Sequence, residues 1–261
     1  MSSSLDSRQR AAAEQFGRQS ERYGRTHILA DTSDVADALA GVIAPQGGSV
    51  LDVATGAGHA ALWLARNGWQ VTAGDIAPRI LEAAERLFAE EGVPVATAIF
   101  PAEELPFADA AFDLVSSRVA PHHFSSLAGF VSEAARVLKP DGWFLVIDGS
   151  APDDDPETEA WLHEVEKLRD PSHGRLLSRA AWQALVQAAG LDIVKSVLEP
   201  LKQPDLEWYF ETAATPAENR EKVRASVRQA SAHVRQTLRL GEEDGRTIWY
   251  WPRITLLARK P

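Results

Sequence analysis

The sequence contains no cysteine in its 261 residues. A chain without cysteine cannot form disulfides, use a thiolate nucleophile or bind zinc through sulfur. It also has no apolar run near the roughly 18 residues that indicate a membrane span. The amino-terminal segment MSSSLDSRQRAAAEQFG lacks the apolar core of a secretory signal. We therefore expect a cytoplasmic protein with no membrane span.

Positive charge is also scarce, because 27 Lys and Arg stand against 37 Asp and Glu and give a formal net charge of -10. Proteins that bind nucleic acid are usually basic, so this balance argues against a nucleic-acid partner. Basic residues are locally in excess in 218–239, where we expect a solvated helix face, with attraction of an anionic partner as the alternative. The expected partner is a small-molecule substrate, and a homodimer is an open alternative to a monomer.

Short apolar segments follow a break at PQGG (45–48), and helix-like runs separate most of them. Strands that alternate with helices predict βαβ units and a mainly parallel sheet with helices on both faces. The predicted fold class is therefore α/β. The predicted strands are SVLDVA, QVTAGD, PVATAI, FDLVSS and WFLVID, followed by LDIVKSVLEP and ITLLARKP.

The length suits a single domain over 1–261. Two helices, at 8–28 and 33–44, are predicted before the first strand, and two more, joined at ATPAEN, are predicted within 205–240. The predicted parts are an amino-terminal helical lid over 1–44, a cofactor-binding core over 45–150, and a carboxyl-terminal half over 151–261 with a helical cap at about 201–245.

The segment VLDVATGAGHAA (50–61) leads from a strand into a turn of small residues. Its G-x-G-x-x-A pattern from Gly56 to Ala61 fits a dinucleotide fingerprint, and Asp75, 19 residues after Gly56, can hold ribose hydroxyls. NAD and S-adenosylmethionine fit these features equally well. Asp52, just before the glycines, would repel a pyrophosphate but suits a cationic ligand such as S-adenosylmethionine. The alternative is that Asp52 only caps the turn.

Two later motifs, PAEELPFADAAFDLVSSRVAPHHF and ARVLKPDGWFLVID, follow VLDVATGAG and VTAGDIAPRIL in order. Over roughly 48–150 the chain thereby resembles class I S-adenosylmethionine-dependent methyltransferases of the methyltransferase domain 11 type, which include the ubiquinone and menaquinone C-methyltransferases. Through EQFGRQSERYGRTH, LRDPSH and TPAENREKV it resembles small, largely uncharacterised bacterial methyltransferases of the YcgJ type over nearly its whole length. The resemblance implies a Rossmann-like, seven-stranded, mostly parallel sheet, in the order 3-2-1-4-5-7-6, with helices on both faces and helical lid insertions.

The resemblance also implies a site for S-adenosylmethionine. In that site Asp75 would hold the ribose hydroxyls, Ile76 would pack on adenine, and Arg118 would lie near the methionine end. Relatives often have an aspartate where this chain has Pro101, so adenine selectivity would come from Glu103 or from backbone atoms. With Asp52 included, the predicted cofactor-binding residues are Asp52, Ala54, Gly56, Gly58, Asp75, Ile76, Ala102, Glu103 and Arg118.

Two adjacent histidines, His122 and His123, follow the fourth predicted strand, where an acceptor would meet the methyl group. A histidine with its ordinary pKa near 6.5 can accept a proton near neutral pH, so both are candidate catalytic bases. The alternative for each is a packing role. Adjacent histidines do not make one ligand face, and we predict no metal site. The substrate-pocket candidates, each with a structural role as the alternative, are Tyr23, His27, Arg169, His173 and Trp208.

The predicted function is transfer of a methyl group from S-adenosylmethionine to carbon or oxygen of a small, partly apolar molecule. One alternative is an NAD-dependent oxidoreductase that uses the same glycine loop. Another is a protein of this fold that binds S-adenosylmethionine without methylating anything. Methylation of tRNA or protein is disfavoured by the acidic charge.

Overall fold

The computed structural model describes residues 5–19, 28–42 and 44–261. It confirms the α/β class, because a central sheet carries helices on both faces. The strands are β1 (Ser49–Val53), β2 (Gln70–Asp75), β3 (Ala96–Ile99), β4 (Phe112–Arg118), β5 (Leu138–Gly149), β6 (Asp192–Gln203), β7 (Gly241–Glu243) and β8 (Arg246–Arg259).

The strands lie in the order β3-β2-β1-β4-β5-β8-β6. The first five strands of this row run parallel to one another, and β8 is antiparallel to both β5 and β6. Strand β7 pairs only with β8, outside the row. Because β7 is a short addition, β8 takes the place of the seventh strand. The expected order 3-2-1-4-5-7-6 is confirmed, with one strand added.

Most of the helices connect strands of the sheet or form the carboxyl-terminal insertion. Among the described residues, no helix is both long and apolar enough to cross a membrane. The helices are α1 (Ser7–Gln19), α2 (Ser33–Ala38), α3 (His59–Arg66), α4 (Pro78–Glu90), α5 (Leu127–Val137), α6 (Pro156–Arg169), α7 (Arg179–Ala188), α8 (Leu206–Thr212), α9 (Ala217–Gln229) and α10 (Ala232–Thr237).

Alternating side chains of the central strands feed two hydrophobic clusters, one on each face of the sheet. Leu51 of β1 packs in a cluster with Phe130 of α5 and Trp182 of α7. Its neighbour Val50 points the other way and packs in a cluster with Phe88 of α4. Each large apolar side chain that is fully buried contributes about 1.5–3 kcal/mol to folding. The two clusters therefore hold the sheet as a rigid platform for the loops at its edge.

The insertion between β6 and β7 contains three helices, and the sequence-based prediction of two is wrong. The chain is extended at Ala230, with φ -53° and ψ 132°, which ends α9. Ser231 then caps α10 by accepting a hydrogen bond from the backbone N–H of Val234 at 3.2 Å. Strand β6 continues to Gln203, and α8 begins after its Asp205 cap.

Of the two predicted amino-terminal helices, the second is shorter than predicted, and the first lies only partly among the described residues. Helix α2 ends at Ala38, short of the predicted residue 44, and Gly41 beyond it has a φ of +87° that no helix interior adopts. Helix α1 is described up to Gln19. The substrate-pocket candidates Tyr23 and His27 lie outside the described residues. The boundaries of the lid and of the cap stay predictions.

The register of the parallel strands brings the ends of β1, β2, β4 and β5 to one edge of the sheet. Asp52 of β1 is level with Ser116 of β4, and Arg118 of β4 is level with Ile147 of β5. Asp75 is the last residue of β2. The loops that leave these strands therefore face one another, which is where ligands bind in open α/β sheets.

Candidate active site

A cavity of about 360 Å³ opens at this edge of the sheet. We call the side built from residues 52–57, 75–80 and 100–103 the glycine half. The side built from 119–125, 148–149, 169–170, 201–213 and 251–253 is called the histidine half. The sequence-predicted residues that line the cavity are Asp52, Ala54, Gly56, Asp75, Ile76, Ala102, Glu103, Arg118, His122, His123, Arg169 and Trp208.

The turn after β1 shapes the glycine half. Ala54 and Gly56 have φ values of +56° and +57°, a left-handed conformation that glycine adopts most easily. A Cβ on Gly56 would find only Ile80, at 3.9 Å, so this glycine faces open space. The N–H of Gly56 donates to Oδ2 of Asp75 at 3.0 Å. The turn therefore presents bare backbone to a ligand beside a carboxylate.

Gly58 does not line the cavity, although the resemblance implied that it would. It caps α3 with a φ of +87°. A Cβ on Gly58 would lie 2.6 Å from the ring of Phe88 and 2.9 Å from Ala84. The glycine is required because α4 packs closely behind the turn. A direct contact between Gly58 and a ligand therefore has no support in this geometry.

Two buried acids stand at the strand ends of the glycine half. Asp52 accepts hydrogen bonds from the hydroxyls of Ser116 and Thr55, both at 2.7 Å, and burial raises its pKa. Asp75 accepts from the N–H groups of Gly56 and Ala77, and burial raises its pKa to about 6. Two neighbouring carboxylates suit hydroxyl donors and a cationic ligand. They would repel a pyrophosphate.

Glu103 already has partners for both of its carboxylate oxygens. Its Oε1 accepts from the N–H groups of Ser125 at 2.6 Å and Ser126 at 3.1 Å, and its Oε2 accepts from the side chain of Gln9 at 2.9 Å. The residue thus ties α1 and the loop after the histidines to the glycine half. The predicted contact of Glu103 with adenine stays a prediction, and it would have to use a remaining lone pair.

Arg118 holds the segment before α2 against the cavity. Its Nε donates to both carboxylate oxygens of Asp34 at 3.0 Å. Its terminal nitrogens donate to the carbonyls of Leu29 at 2.8 Å and Asp31 at 2.6 Å. The predicted place of Arg118 beside the cofactor stays a prediction, because this network accounts for its position without a ligand.

His122 lies in a 3₁₀ turn, Pro121–His123, directly after β4. Its Nδ1 is 2.6 Å from Oδ1 of Asp148, and its backbone N–H donates to Oδ2 at 2.9 Å. Because the carboxylate accepts, Nδ1 carries the proton and Nε2 has the lone pair. Burial opposes protonation of the ring, but the Asp148 carboxylate outweighs it and the pKa of His122 is raised. Nε2 makes no hydrogen bond to the described residues and keeps accessible surface.

His123 is held differently. The hydroxyl of Ser172 donates to Oδ1 of Asp170 at 2.7 Å, so its oxygen accepts from Nδ1 of His123 at 3.1 Å. The edge of the ring packs against Phe16 of α1 at 4.8 Å between centroids. Burial, followed by the nearby charge of His122, lowers the pKa of His123 to about 3. His123 therefore stays neutral at physiological pH.

Of the remaining substrate-pocket candidates, two line the cavity and one does not. Arg169 lines the cavity, but it is bound to Glu166 at 3.1 Å and lies over the ring of Tyr209 at 4.3 Å. Trp208 also lines the cavity. His173 does not line it: the residue is buried behind His122, with ring centroids 5.6 Å apart, and burial lowers its pKa. Neither ring nitrogen of His173 has a partner among the described residues.

Sequence reasoning missed several residues in and around the histidine half. Asp148 had a usable signal, because it ends the predicted strand WFLVID at the same edge as His122. Ser172, Phe16 and Trp251 had none, since each comes from a distant part of the chain. The described residues contain no group of three or more His, Asp or Glu side chains placed to hold a metal ion.

The family model described as "Methyltransferase domain" matches residues 51–146. Over 226 residues the chain is 34% identical to the uncharacterised methyltransferase YcgJ of Bacillus subtilis, an alignment that covers 85% of this chain and 87% of that protein. The chain belongs to this methyltransferase family. A crystal structure of the YcgJ protein, 30% identical, superposes with a TM-score of 0.80 and covers 88% of this methyltransferase and 99% of its own chain.

Two more distant methyltransferases widen the comparison. A ubiquinone/menaquinone biosynthesis C-methyltransferase of Desulfotalea psychrophila is 36% identical over 110 residues, 41% of this chain and 44% of that protein. The geranyl diphosphate C-methyltransferase of Streptomyces coelicolor, crystallised with S-adenosyl-L-homocysteine, has a TM-score of 0.68 at 15% identity and covers 100% of both chains. That last likeness shows a shared fold. The methyltransferase family and the Rossmann-like sheet predicted from the motifs are thus confirmed.

Proposed function

We propose that this methyltransferase transfers a methyl group from S-adenosylmethionine to a small, partly apolar molecule, with His122 as the general base. The observation that carries the proposal is the pairing of Nδ1 of His122 with Asp148 at 2.6 Å on the wall of the cavity. That pairing leaves Nε2 as a proton acceptor on a residue that lines the same cavity as the acids of the glycine half.

The glycine half suits the cofactor by its chemistry. Asp75 offers a buried carboxylate at the end of β2, which can accept from two ribose hydroxyls. Asp52 adds a second negative charge beside the bare backbone of Gly56. The cofactor supplies a methyl group already activated on a positively charged sulfonium. The S-adenosyl-L-homocysteine in a protein of the same fold supports this choice.

The chain itself has to orient the acceptor, exclude water and remove a proton. His122 can take the proton on Nε2 because Asp148 fixes Nδ1–H and then stabilises the imidazolium. The raised pKa of His122 makes it a stronger base than a free histidine. Proton removal by a positioned side chain contributes about 10²–10⁴ to a rate.

The histidine half favours an acceptor with an apolar surface. Aromatic and aliphatic side chains from three of its segments line it, and Phe16 and Leu29 extend this apolar wall from the amino-terminal part of the chain. Arg169 is held by Glu166, which argues against a role in binding an anionic substrate. The apolar lining residues are Phe16, Leu29, Phe124, Leu201, Trp208, Ala213 and Trp251.

Two experiments test the proposal, first a measurement of ligand binding and then an assay of methyl transfer. S-adenosylhomocysteine should raise the melting temperature of the protein, and NAD should not, because the acids of the glycine half repel a pyrophosphate. Labelled methyl groups should then pass to members of a panel of phenols and quinols. Stabilisation by NAD alone would point to an oxidoreductase. Tight binding of S-adenosylhomocysteine with no transfer to any acceptor would point to a binding protein of this fold.

A further inference from the structure

His122 and His123 are adjacent in sequence, and both contribute to the same cavity wall. Their ring centroids are 4.1 Å apart and the rings are tilted by 46°. Each ring is anchored through Nδ1, one to Asp148 and the other to Ser172. Neither Nε2 bonds to the described residues, and both keep accessible surface. The wall thus contains two adjacent rings, each of which keeps one hydrogen-bond acceptor.

The Nε2 atoms of His122 and His123 differ in how readily they can take up a proton. Asp148 supports a positive charge on His122, whereas Ser172 donates its own proton to Asp170 and gives His123 only a neutral oxygen. The ring of His123 is also fixed by Phe16, which meets it edge-on. His123 is therefore a fixed neutral acceptor beside a base, and such a group pairs with a donor that keeps its proton.

We infer that His123 binds a second hydroxyl adjacent to the one that reacts, so that the acceptor is a catechol-type compound methylated on oxygen, an assignment that rests on the proposed function. The two rings lie 4.1 Å apart between centroids and each keeps one Nε2 acceptor, so the pair suits two neighbouring O–H donors. The apolar and aromatic wall formed by Phe124, Trp208 and Trp251 favours a planar ring that carries these hydroxyls.

In this arrangement the O–H bond beside His122 breaks and its proton passes to Nε2 of His122. The electron pair of that oxygen forms the new O–CH₃ bond while the C–S bond of the sulfonium breaks. The products are a catechol monomethyl ether, S-adenosylhomocysteine and a proton on His122, which water later removes. The second hydroxyl keeps its proton and donates it to Nε2 of His123.

The test compares catechol with phenol as acceptors, using S-adenosylmethionine and the full chain. Wild type should show a kcat/KM for catechol at least about tenfold above that for phenol, because phenol has no second hydroxyl to donate a hydrogen bond to Nε2 of His123. In His123→Phe, a similar flat ring without the acceptor, the preference should fall to within about threefold, mainly through KM for catechol. His123→Gln, whose carbonyl can accept, should recover part of the preference.

Several outcomes would overturn the role of His123 while leaving the proposed function standing. They are equal kcat/KM for the two acceptors in wild type, an unchanged preference in His123→Phe, and transfer only to compounds without adjacent hydroxyls. Failure of catechol both to react and to bind the enzyme loaded with S-adenosylhomocysteine would overturn it too. Failure of S-adenosylhomocysteine itself to bind would instead reject the proposed function.

Discussion

The glycine half and the histidine half of the cavity are held by different means. In the glycine half, Asp52, Gly56 and Asp75 come from two adjacent strands and the turns that follow them. In the histidine half, His123 depends on Ser172 from the loop after α6 and on Phe16 from α1. The glycine half is fixed by strand register and by hydrogen bonds at the turns, whereas His123 in the histidine half is fixed by side chains from distant segments.

This difference predicts how each half responds to substitution. A change in the glycine half should act on the affinity for the cofactor, because its groups surround the expected position of that ligand. A change at His122 should act on turnover, because this residue is expected to touch only the acceptor. Measuring affinity and turnover separately for variants of each half therefore tests whether the division is real.

The largest expected effect follows removal of the base. In His122→Ala, kcat should fall by about 10²–10⁴ with an acceptor that wild type methylates, because no side chain then takes the proton. The dissociation constant for S-adenosylhomocysteine, measured by titration calorimetry, should change by less than about threefold. Exposed His233, which pairs with Asp155 and does not line the cavity, offers a matched control in His233→Gln.

The carboxylate of Asp148 allows a second test of His122 as the base, through the pH dependence of kcat/KM. A base must be neutral to accept a proton, so kcat/KM should rise with pH through the raised pKa of His122. Asp148→Asn removes the carboxylate that favours the imidazolium, so the midpoint of that rise should move to lower pH. A midpoint that stays in place, or a His122→Ala enzyme with wild-type kcat, would remove His122 from the role of base.

The next effect concerns Asp75. Two hydrogen bonds to a charged group are worth about 3 kcal/mol together. In Asp75→Ala the dissociation constant for S-adenosylhomocysteine should therefore rise at least about 100-fold. Asp192→Ala, at the start of β6 on the opposite edge of the sheet, is the matched control. Equal affinity in Asp75→Ala and wild type would contradict the ribose role.

A smaller effect on the affinity for S-adenosylhomocysteine should come from a change of pH alone. The pKa of Asp75 is raised to about 6 by burial, and only the ionised carboxylate can accept from both ribose hydroxyls. As the pH falls below about 6, the ionised fraction drops, and affinity for S-adenosylhomocysteine should weaken by up to about tenfold per pH unit. The charge of Asp52 contributes to this pKa. A flat affinity between pH 5 and pH 8 would argue against hydroxyl binding by Asp75.

The smallest expected effect is on the free energy of unfolding, and it tests whether Gly58 is needed for packing. Gly58→Ala should lower the free energy of unfolding by about 1–3 kcal/mol, because its Cβ meets Phe88 at 2.6 Å. Gly68 has a φ of +89° and open space around it, so Gly68→Ala carries the same backbone strain without the clash. Urea unfolding of both variants isolates the clash. Equal losses would mean that Phe88 moves aside.

Much of the sheet and of the glycine half could be predicted from sequence, since local patterns determine them. The apolar segments, the turn glycine Gly56 and the acids Asp52 and Asp75 lie close to one another along the chain or at equivalent strand ends. The roles of Ser172 and Phe16 could not be predicted, because only tertiary packing brings them to His123. The break at Ala230 had a local signal that the sequence-based prediction did not use, because Ser231 after it is a residue that favours helix caps.

The pairing of β4 with β5 places Arg118 level with Ile147. His122 follows Arg118, and Asp148 follows Ile147, within a few residues along the chain. The positions of His122 and Asp148, the proposed base and its partner, are therefore set by the sheet, whereas α1 and α8 supply other parts of the cavity wall. Substitutions on the cavity side of those helices should therefore change the acceptor wall while the pairing of His122 with Asp148 is kept. This makes the chain a natural scaffold for grafting new acceptor specificities onto a fixed reaction centre.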